Sequence, residues 1–217
     1  YTIRNFDGNA YGEQTMMNIL EKSLNTGMIF VAQKLGKTKQ LEYLKRFGFD
    51  EKTGIDLPGE IGGAISHLAS GRDIDYATAA FGQGITATPM QLAAMVSSIA
   101  NNGTMMKPFV VKKIINADNS EQAIKPEVLG EPIEPLTAAQ LTGMMTQVVE
   151  HGFDWKAKIS GYQIAAKTGT AQIADLENGG YTDQTVHTIV GFAPAFNPKF
   201  VIVIRLDKPQ GKAQFAS

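Results

Sequence analysis

Apolar residues at Met16, Met17 and Leu20, and again at Met28, Val31, Ala32 and Leu35, recur at helical spacing and predict two helices. Between them Ser23-Leu24-Asn25-Thr26-Gly27 interrupts the pattern. Small polar side chains there compete for backbone hydrogen bonds and favour a corner. Gly36 should close the second helix, and Thr38 should cap a short third one carrying Leu41, Leu44 and Phe47 on one face. From Gly48 to about Asp75 the chain reads as loop, punctuated by Thr53-Gly54, Pro58-Gly59 and Gly62-Gly63. So long an irregular stretch is more often a functional loop than filler. Thr88-Pro89-Met90-Gln91 then sets Thr at an N-cap, Pro at the first helical position and Gln at the third, a capping box ahead of Leu92, Met95, Val96 and Ile99. Asn101-Asn102-Gly103 ends that helix.

Further on, Phe109 to Ile115 reads as a strand, Asp118-Asn119-Ser120 as a turn, and Pro126, Pro132 and Pro135 as a linker. A second capping box, Thr137-Ala138-Ala139-Gln140, should open a helix with its core stripe at Leu141, Met144, Met145 and Val148. Three β-rich runs close the chain: Tyr162 to Thr170, Thr185 to Phe192 and Phe200 to Leu206. Gly179-Gly180 joins the first two and Asn197-Pro198-Lys199 the last two, as in hairpins. Helices first and antiparallel strands last give an α+β expectation, with a helical lobe over about 13–150 and strands over about 162–206.

Composition narrows the function classes. The 217 residues are 43% hydrophobic and 19% charged, which fits one globular domain with a real core. A formal net charge of -1 argues against general nucleic-acid binding. With no cysteine, thiolate nucleophiles, thiolate zinc sites and disulfides are excluded. The three histidines form no zinc-binding spacing, so no metal is expected, and no cofactor motif is present. His187, on a strand, reads as a packing or hydrogen-bonding residue, and His151 as a helix-end residue suited to the dipole. There is no apolar run of the ~18 residues a membrane span needs.

Three local constellations could carry chemistry. Ser23-Leu24-Asn25, taken alone, reads first as a helix corner held by side-chain to backbone bonds. Lys167-Thr168-Gly169-Thr170 ends an apolar β-run, and a strand glycine often marks close approach by another backbone. Phe81-Gly82-Gln83-Gly84-Ile85-Thr86 is a poor phosphate loop because it has no basic residue.

Together, Ser-x-Asn followed far downstream by Lys-Thr-Gly is two-thirds of the penicilloyl-serine signature. The chain resembles the transpeptidase domain of class B penicillin-binding proteins. The carrying blocks are Glu21 to Gly27, Phe47-Gly48-Phe49 with Thr53 to Glu60, Ala80 to Ala93, Ala166 to Gln172, and His187 to Pro194 with Asn197 to Phe200, in the family's order. The resemblance implies an antiparallel sheet packed against helices with an all-helical lobe. It also implies serine-type acyl transfer from D-Ala-D-Ala stem peptides, with β-lactams as inhibitors. Carried over residue by residue, Lys167 supplies a fixed positive charge, Ser23 relays a proton, and Asn25 orients the substrate amide and a catalytic lysine. Thr168 and Thr170 bind the substrate carboxylate, and Gly169 clears the strand edge for it. Implied partners are peptidoglycan stem peptides, a membrane glycosyltransferase and other elongasome or divisome proteins. The implied location is the extracytoplasmic face of the bacterial cytoplasmic membrane.

One departure is plain. No serine is followed at the third position by lysine: Ser23, Ser66, Ser70, Ser97, Ser98, Ser120 and Ser160 meet Thr26, Ala69, Asp73, Ala100, Asn101, Ala123 and Gln163, and Ser217 is terminal. The nucleophile of the family is therefore expected upstream of Tyr1. Ala213 to Ser217 looks like the approach to the family's last helix, so the chain reads as a partial domain, inactive as it stands. A serine β-lactamase is the second enzyme reading, disfavoured because the Phe81-Gly82-Gln83-Gly84 block resembles the synthase family instead. A catalytically inactive scaffold or β-lactam sensor of the same fold is the non-enzyme alternative.

Overall fold

A computed structural model describes residues 2–152, 155–175 and 177–210; the expectation for Ala213 to Ser217 lies outside them. Six helices occur among the described residues: α1 (Met16–Glu21), α2 (Asn25–Leu35), α3 (Lys37–Arg46), α4 (Asp73–Ala79), α5 (Pro89–Ala100) and α6 (Pro135–His151). Two short antiparallel pairs join β1 (Met105–Met106) to β4 (Val128–Gly130) and β2 (Lys113–Ile115) to β3 (Glu121–Ala123). The main sheet is antiparallel in the order β5 (Ala165–Ala174), β6 (Tyr181–Ala193), β7 (Phe200–Asp207).

α5 is the centre of the fold. Thr88 Oγ1 accepts from Gln91 N–H while Gln91 Oε1 accepts from Thr88 N–H, so the expected capping box is complete. One core cluster gathers Phe49, Ile65, Leu68, Tyr76 and Ala79; a second gathers Val96, Met145, Ala165, Phe192 and Ala195. Met95 packs against both, so α5 joins the helical lobe to the sheet.

Several local expectations are corrected. Gly36, at φ 84°, ends α2 and is also the N-cap of α3, which leaves Thr38 inside the helix. The second capping box does not form. Pro135 takes the first helical position behind an extended Glu134, because its ring fixes a helix-compatible φ. α6 buries Ala138, Thr142, Met145, Thr146, Val148 and Val149, whereas Leu141 and Met144 are half-buried. In α1 only Ile19 is buried, and Met16 and Met17 face outward. The strand expected from Phe109 shrinks to β2, because the Asp56 carboxylate takes the N–H groups of Val110 and Val111, at 2.8 Å each, out of any ladder. α4 lies at the end of the stretch read as loop.

Three carboxylates staple that irregular region. Asp56 accepts from Val110 and Val111, and Glu60 accepts from Thr53 Oγ1 (2.6 Å), Thr53 N–H and Gly54 N–H. Asp75 accepts both prongs of the Arg72 guanidinium and the Ser70 hydroxyl. Each group is held below its ordinary pKa: Asp56 chiefly by the Val111 N–H, Glu60 by the Thr53 hydroxyl, Asp75 by Arg72. Because the folded pKa values are depressed, this stabilisation is full above the unfolded values, 3.8 for Asp and 4.5 for Glu, and fades as pH falls through the folded ones. Acid titration should therefore loosen residues 53–75 and 109–111 first, and Glu60→Gln should weaken that pH dependence. Amide exchange unchanged in this segment between about pH 6 and about pH 3, after correction for the intrinsic rate, would contradict it.

Candidate active site

The Ser-Leu-Asn corner is built by backbone geometry. Ser23 sits in the left-handed region at φ 50°, and its N–H donates to the Leu20 carbonyl at 3.2 Å. Leu24, 2% exposed, is the N-cap of α2 but supplies no side-chain cap. Asn5 does that work from twenty-one residues away: its Oδ1 accepts from Thr26 N–H and Thr26 Oγ1. Asn25 opens α2 and donates from Nδ2 to the Arg4 carbonyl at 3.1 Å. At Gly27 a Cβ would fall 2.7 Å from the Ile19 side chain, so the close crossing of α1 and α2 requires a glycine there. Ser23 and Asn25 are thus brought together at one rigid corner. Asn5 was missed by sequence reasoning, and no local signal could have found a cap so distant in the chain.

Lys167, Thr168, Gly169 and Thr170 lie on β5, paired across to Val190, Ile189, Thr188 and His187 of β6. Among the described residues β5 pairs only with β6, so its other edge is an open strand edge. Ala165 belongs to the core cluster packed on α5 and α6, and alternation places Lys167 and Gly169 on that same helix-facing side. Thr168 and Thr170 share the opposite face with Ala166. Lys167 is half-buried and its Nζ lies 3.0 Å from the Thr168 carbonyl, folded along its own strand. His187 is buried, and its Nε2 lies 2.9 Å from Thr185 Oγ1, as expected for a hydrogen-bonding histidine.

Gly169 has a structural reason of its own. A Cβ there would fall 2.8 Å from Thr188 Oγ1 on the neighbouring strand. A side chain at this position would have to displace the Thr188 hydroxyl, before any ligand at the open edge is considered.

What links the corner to the strand is α6. It packs on β5 through Met145 and Ala165, and on α1 near its own C-terminus. There, Gly152 brings its backbone so near Glu21 that a Cβ would lie 2.7 Å from the Glu21 carbonyl oxygen. Both halves of the candidate site are therefore mounted on one helix. The Phe81–Thr86 loop contains none of the six site residues. Its glycines, at φ 88° and 75°, turn the chain after α4, and Thr86 bridges to Ala64 through two backbone hydrogen bonds. A cavity of about 390 Å³ lined by Lys45, Gly48, Gln91, Met105 and Glu131 contains none of the six site residues. No group of three His, Asp or Glu side chains among the described residues is placed to hold a metal ion. No described helix is long and apolar enough to cross a membrane.

Comparison with known proteins supplies the family. The penicillin binding protein transpeptidase domain model matches residues 1–217. Stage V sporulation protein D of Bacillus subtilis is 35% identical over 216 residues, covering 98% of this chain and 33% of that protein. Peptidoglycan D,D-transpeptidase FtsI of Escherichia coli is 32% identical over 202 residues, covering 92% of this chain and 32% of that protein. The chain thus spans about a third of the length of these relatives. Penicillin binding protein 3 from Mycobacterium tuberculosis, solved in complex with aztreonam, superposes with a TM-score of 0.86 at 31% identity, covering 93% of this chain and 48% of that one. The D,D-transpeptidase domain from Eggerthella lenta superposes with a TM-score of 0.82 at 28% identity, covering 97% and 52%. With a family model matched along its whole length and an antiparallel sheet and helical lobe that superpose on solved members, the chain belongs to the penicillin-binding protein transpeptidase domain family.

Proposed function

We propose that this chain is the substrate-holding part of a peptidoglycan D,D-transpeptidase, whose acylating serine lies in a portion of the parent protein outside these residues. The observation that carries the reading is the open β5 edge bearing Lys167 to Thr170, mounted on the same helix as the Ser23–Asn25 corner. An extended D-Ala-D-Ala peptide adds to that edge as a further strand. The Lys167 ammonium draws the terminal carboxylate, and the hydroxyls of Thr168 and Thr170 hydrogen-bond to it. The parent's serine oxygen bonds to the penultimate D-Ala carbonyl carbon, the C–N bond to the last D-Ala breaks, and the departing amine takes the serine's proton through Ser23. The Thr170 N–H stabilises the oxyanion from the strand side, the kind of donor whose loss costs about 2.7–4 kcal/mol of barrier. Asn25 orients the substrate amide and the parent's catalytic lysine. An amine of a second stem peptide then attacks the ester, forming the cross-link and releasing the serine. β-Lactams enter as mimics of the same peptide. Such an enzyme works on the extracytoplasmic face of the cytoplasmic membrane, beside a glycosyltransferase and other elongation or division proteins.

An inactive scaffold or β-lactam sensor of the same fold is the second reading. It is favoured by one observation, that no serine of the chain has a lysine at the third position. Fluorescent penicillin separates the two. The parent protein should be labelled on a serine outside this chain, and the chain alone should show no mass increase, because acylation needs a serine activated by an adjacent base. An unlabelled parent would favour the scaffold, and an adduct mapped to any serine of this chain would overturn the assignment of the nucleophile.

A further inference from the structure

Three polar side chains from three separate elements converge on Gly84. A Cβ built there would lie 3.3 Å from Thr78 Oγ1, 3.8 Å from His67 Nε2 and 3.9 Å from the Tyr181 hydroxyl. Thr78 is on α4, His67 on the 3-10 turn Ser66–Ser70, and Tyr181 opens β6 just beyond the β5–β6 turn. The Thr78 hydroxyl donates to the carbonyls of Ile74 and Asp75. His67 Nε2 is buried and has no hydrogen-bond partner among the described residues. A buried ring nitrogen left unpaired is costly. Tyr181 is 44% exposed.

The end of the β5–β6 hairpin has a corresponding need. β7 pairs with β6 only from Val186 onward, with one further bond from the Lys208 N–H to the Thr185 carbonyl, so Tyr181 to Gln184 are held by β5 alone. The register also shifts between Gln172 and Ala174. A two-stranded ribbon of this kind is marginal in water without an outside contact.

We propose that the Tyr181 hydroxyl donates to His67 Nε2, and that this hydrogen bond latches the β5–β6 hairpin onto the Phe81–Thr86 loop. Both atoms lie within 4 Å of one point beside Gly84, and the latch requires the exposed tyrosine to rotate toward the imidazole. Gly84 suits the position twice over: its φ of 75° favours glycine, and the absence of a Cβ leaves the space between the two groups clear. The latch fixes the far end of the strand pair that carries Lys167 to Thr170. Its effect on peptide binding at that edge rests on the transpeptidase reading; the latch itself does not.

The test uses the parent protein that carries this chain, without substrate or β-lactam, so its outcome is independent of acylation. Tyr181→Phe keeps the ring and removes only the hydroxyl. It should shift the ¹⁵N resonances of the His67 imidazole and speed exchange of the amides at 181–185 by roughly three- to tenfold, the loss expected for one hydrogen bond. In a His67→Ala background the same substitution should add nothing further. Unchanged His67 nitrogens with unchanged exchange in Tyr181→Phe would overturn the latch, as would an undiminished effect of Tyr181→Phe when His67 is absent. Should His67→Ala fail to fold, the resonance measurement on Tyr181→Phe decides alone.

Discussion

Lys167→Ala, made in the protein that carries this chain, is expected to slow penicillin acylation by about 10- to 150-fold, against about fivefold for Thr168→Ala. The difference is one of charge. A hydrogen bond to an ionised group contributes about 1.5–3 kcal/mol and a neutral one about 1 kcal/mol, and each 1.36 kcal/mol is tenfold in rate. Lys167 is half-buried on the helix-facing side of β5, with its Nζ beside the Thr168 carbonyl. The Thr168 hydroxyl has a companion in Thr170, two residues along on the same face. Stopped-flow acylation with a chromogenic β-lactam measures both variants. Equal rate losses would mean that the ammonium contributes no more than a hydroxyl, and the proposed carboxylate anchor would fail.

The second large effect concerns folding. Gln91→Leu should destabilise the chain by about 3–5 kcal/mol and lower its thermal midpoint by on the order of 10 °C. Gln91 is 1% exposed, so its amide is satisfied only by protein. Its Oε1 accepts from the Thr88 N–H at 2.9 Å, and its Nε2 donates to the carbonyls of Gly48 (2.8 Å) and Glu51 (2.7 Å). Leucine fills a similar volume, leaves the Thr88 N–H and the Glu51 carbonyl without partners, and leaves the Gly48 carbonyl only the Glu51 N–H at 3.4 Å. The cost spreads beyond α5, because the same amide fastens the loop after α3 to the start of α5. Denaturant unfolding reads the effect directly. A loss under about 1 kcal/mol would show that other donors and acceptors replace the amide.

Gln91 also illustrates what a sequence discloses. Its place in the capping box is a three-residue pattern and was legible; its grip on Gly48 and Glu51 spans some forty residues and leaves no local trace. The same division runs through the fold. The three C-terminal strands announce themselves by β-branched runs, whereas β1 and β4 are two or three residues long and exist only through their pairing. α6 was misjudged at its start because Pro135 outweighs a plausible threonine cap. Its buried face was misjudged because it contains two threonines, Thr142 and Thr146, whose hydroxyls bond back to the carbonyls of Ala138 and Thr142 and so hide their polarity inside the helix. In the site, the Ser-x-Asn and Lys-Thr-Gly-Thr motifs stood out as strings. The Asn5 cap, the Thr188 hydroxyl behind Gly169 and the common mounting on α6 are products of tertiary structure.

That mounting makes α6 the ruler of the site. Its contact with the sheet is at Met145 and its contact with the serine corner is at Gly152, seven residues apart, or about 10 Å along a helix axis. The Ser23 corner and the Lys167 strand are therefore both packed against a third element that carries neither motif. A single residue inserted between Met145 and Gly152 would turn everything beyond it by about 100° and advance it by about 1.5 Å. The strand would keep its lysine and the corner its serine, each in good local order, but in a changed relation to one another.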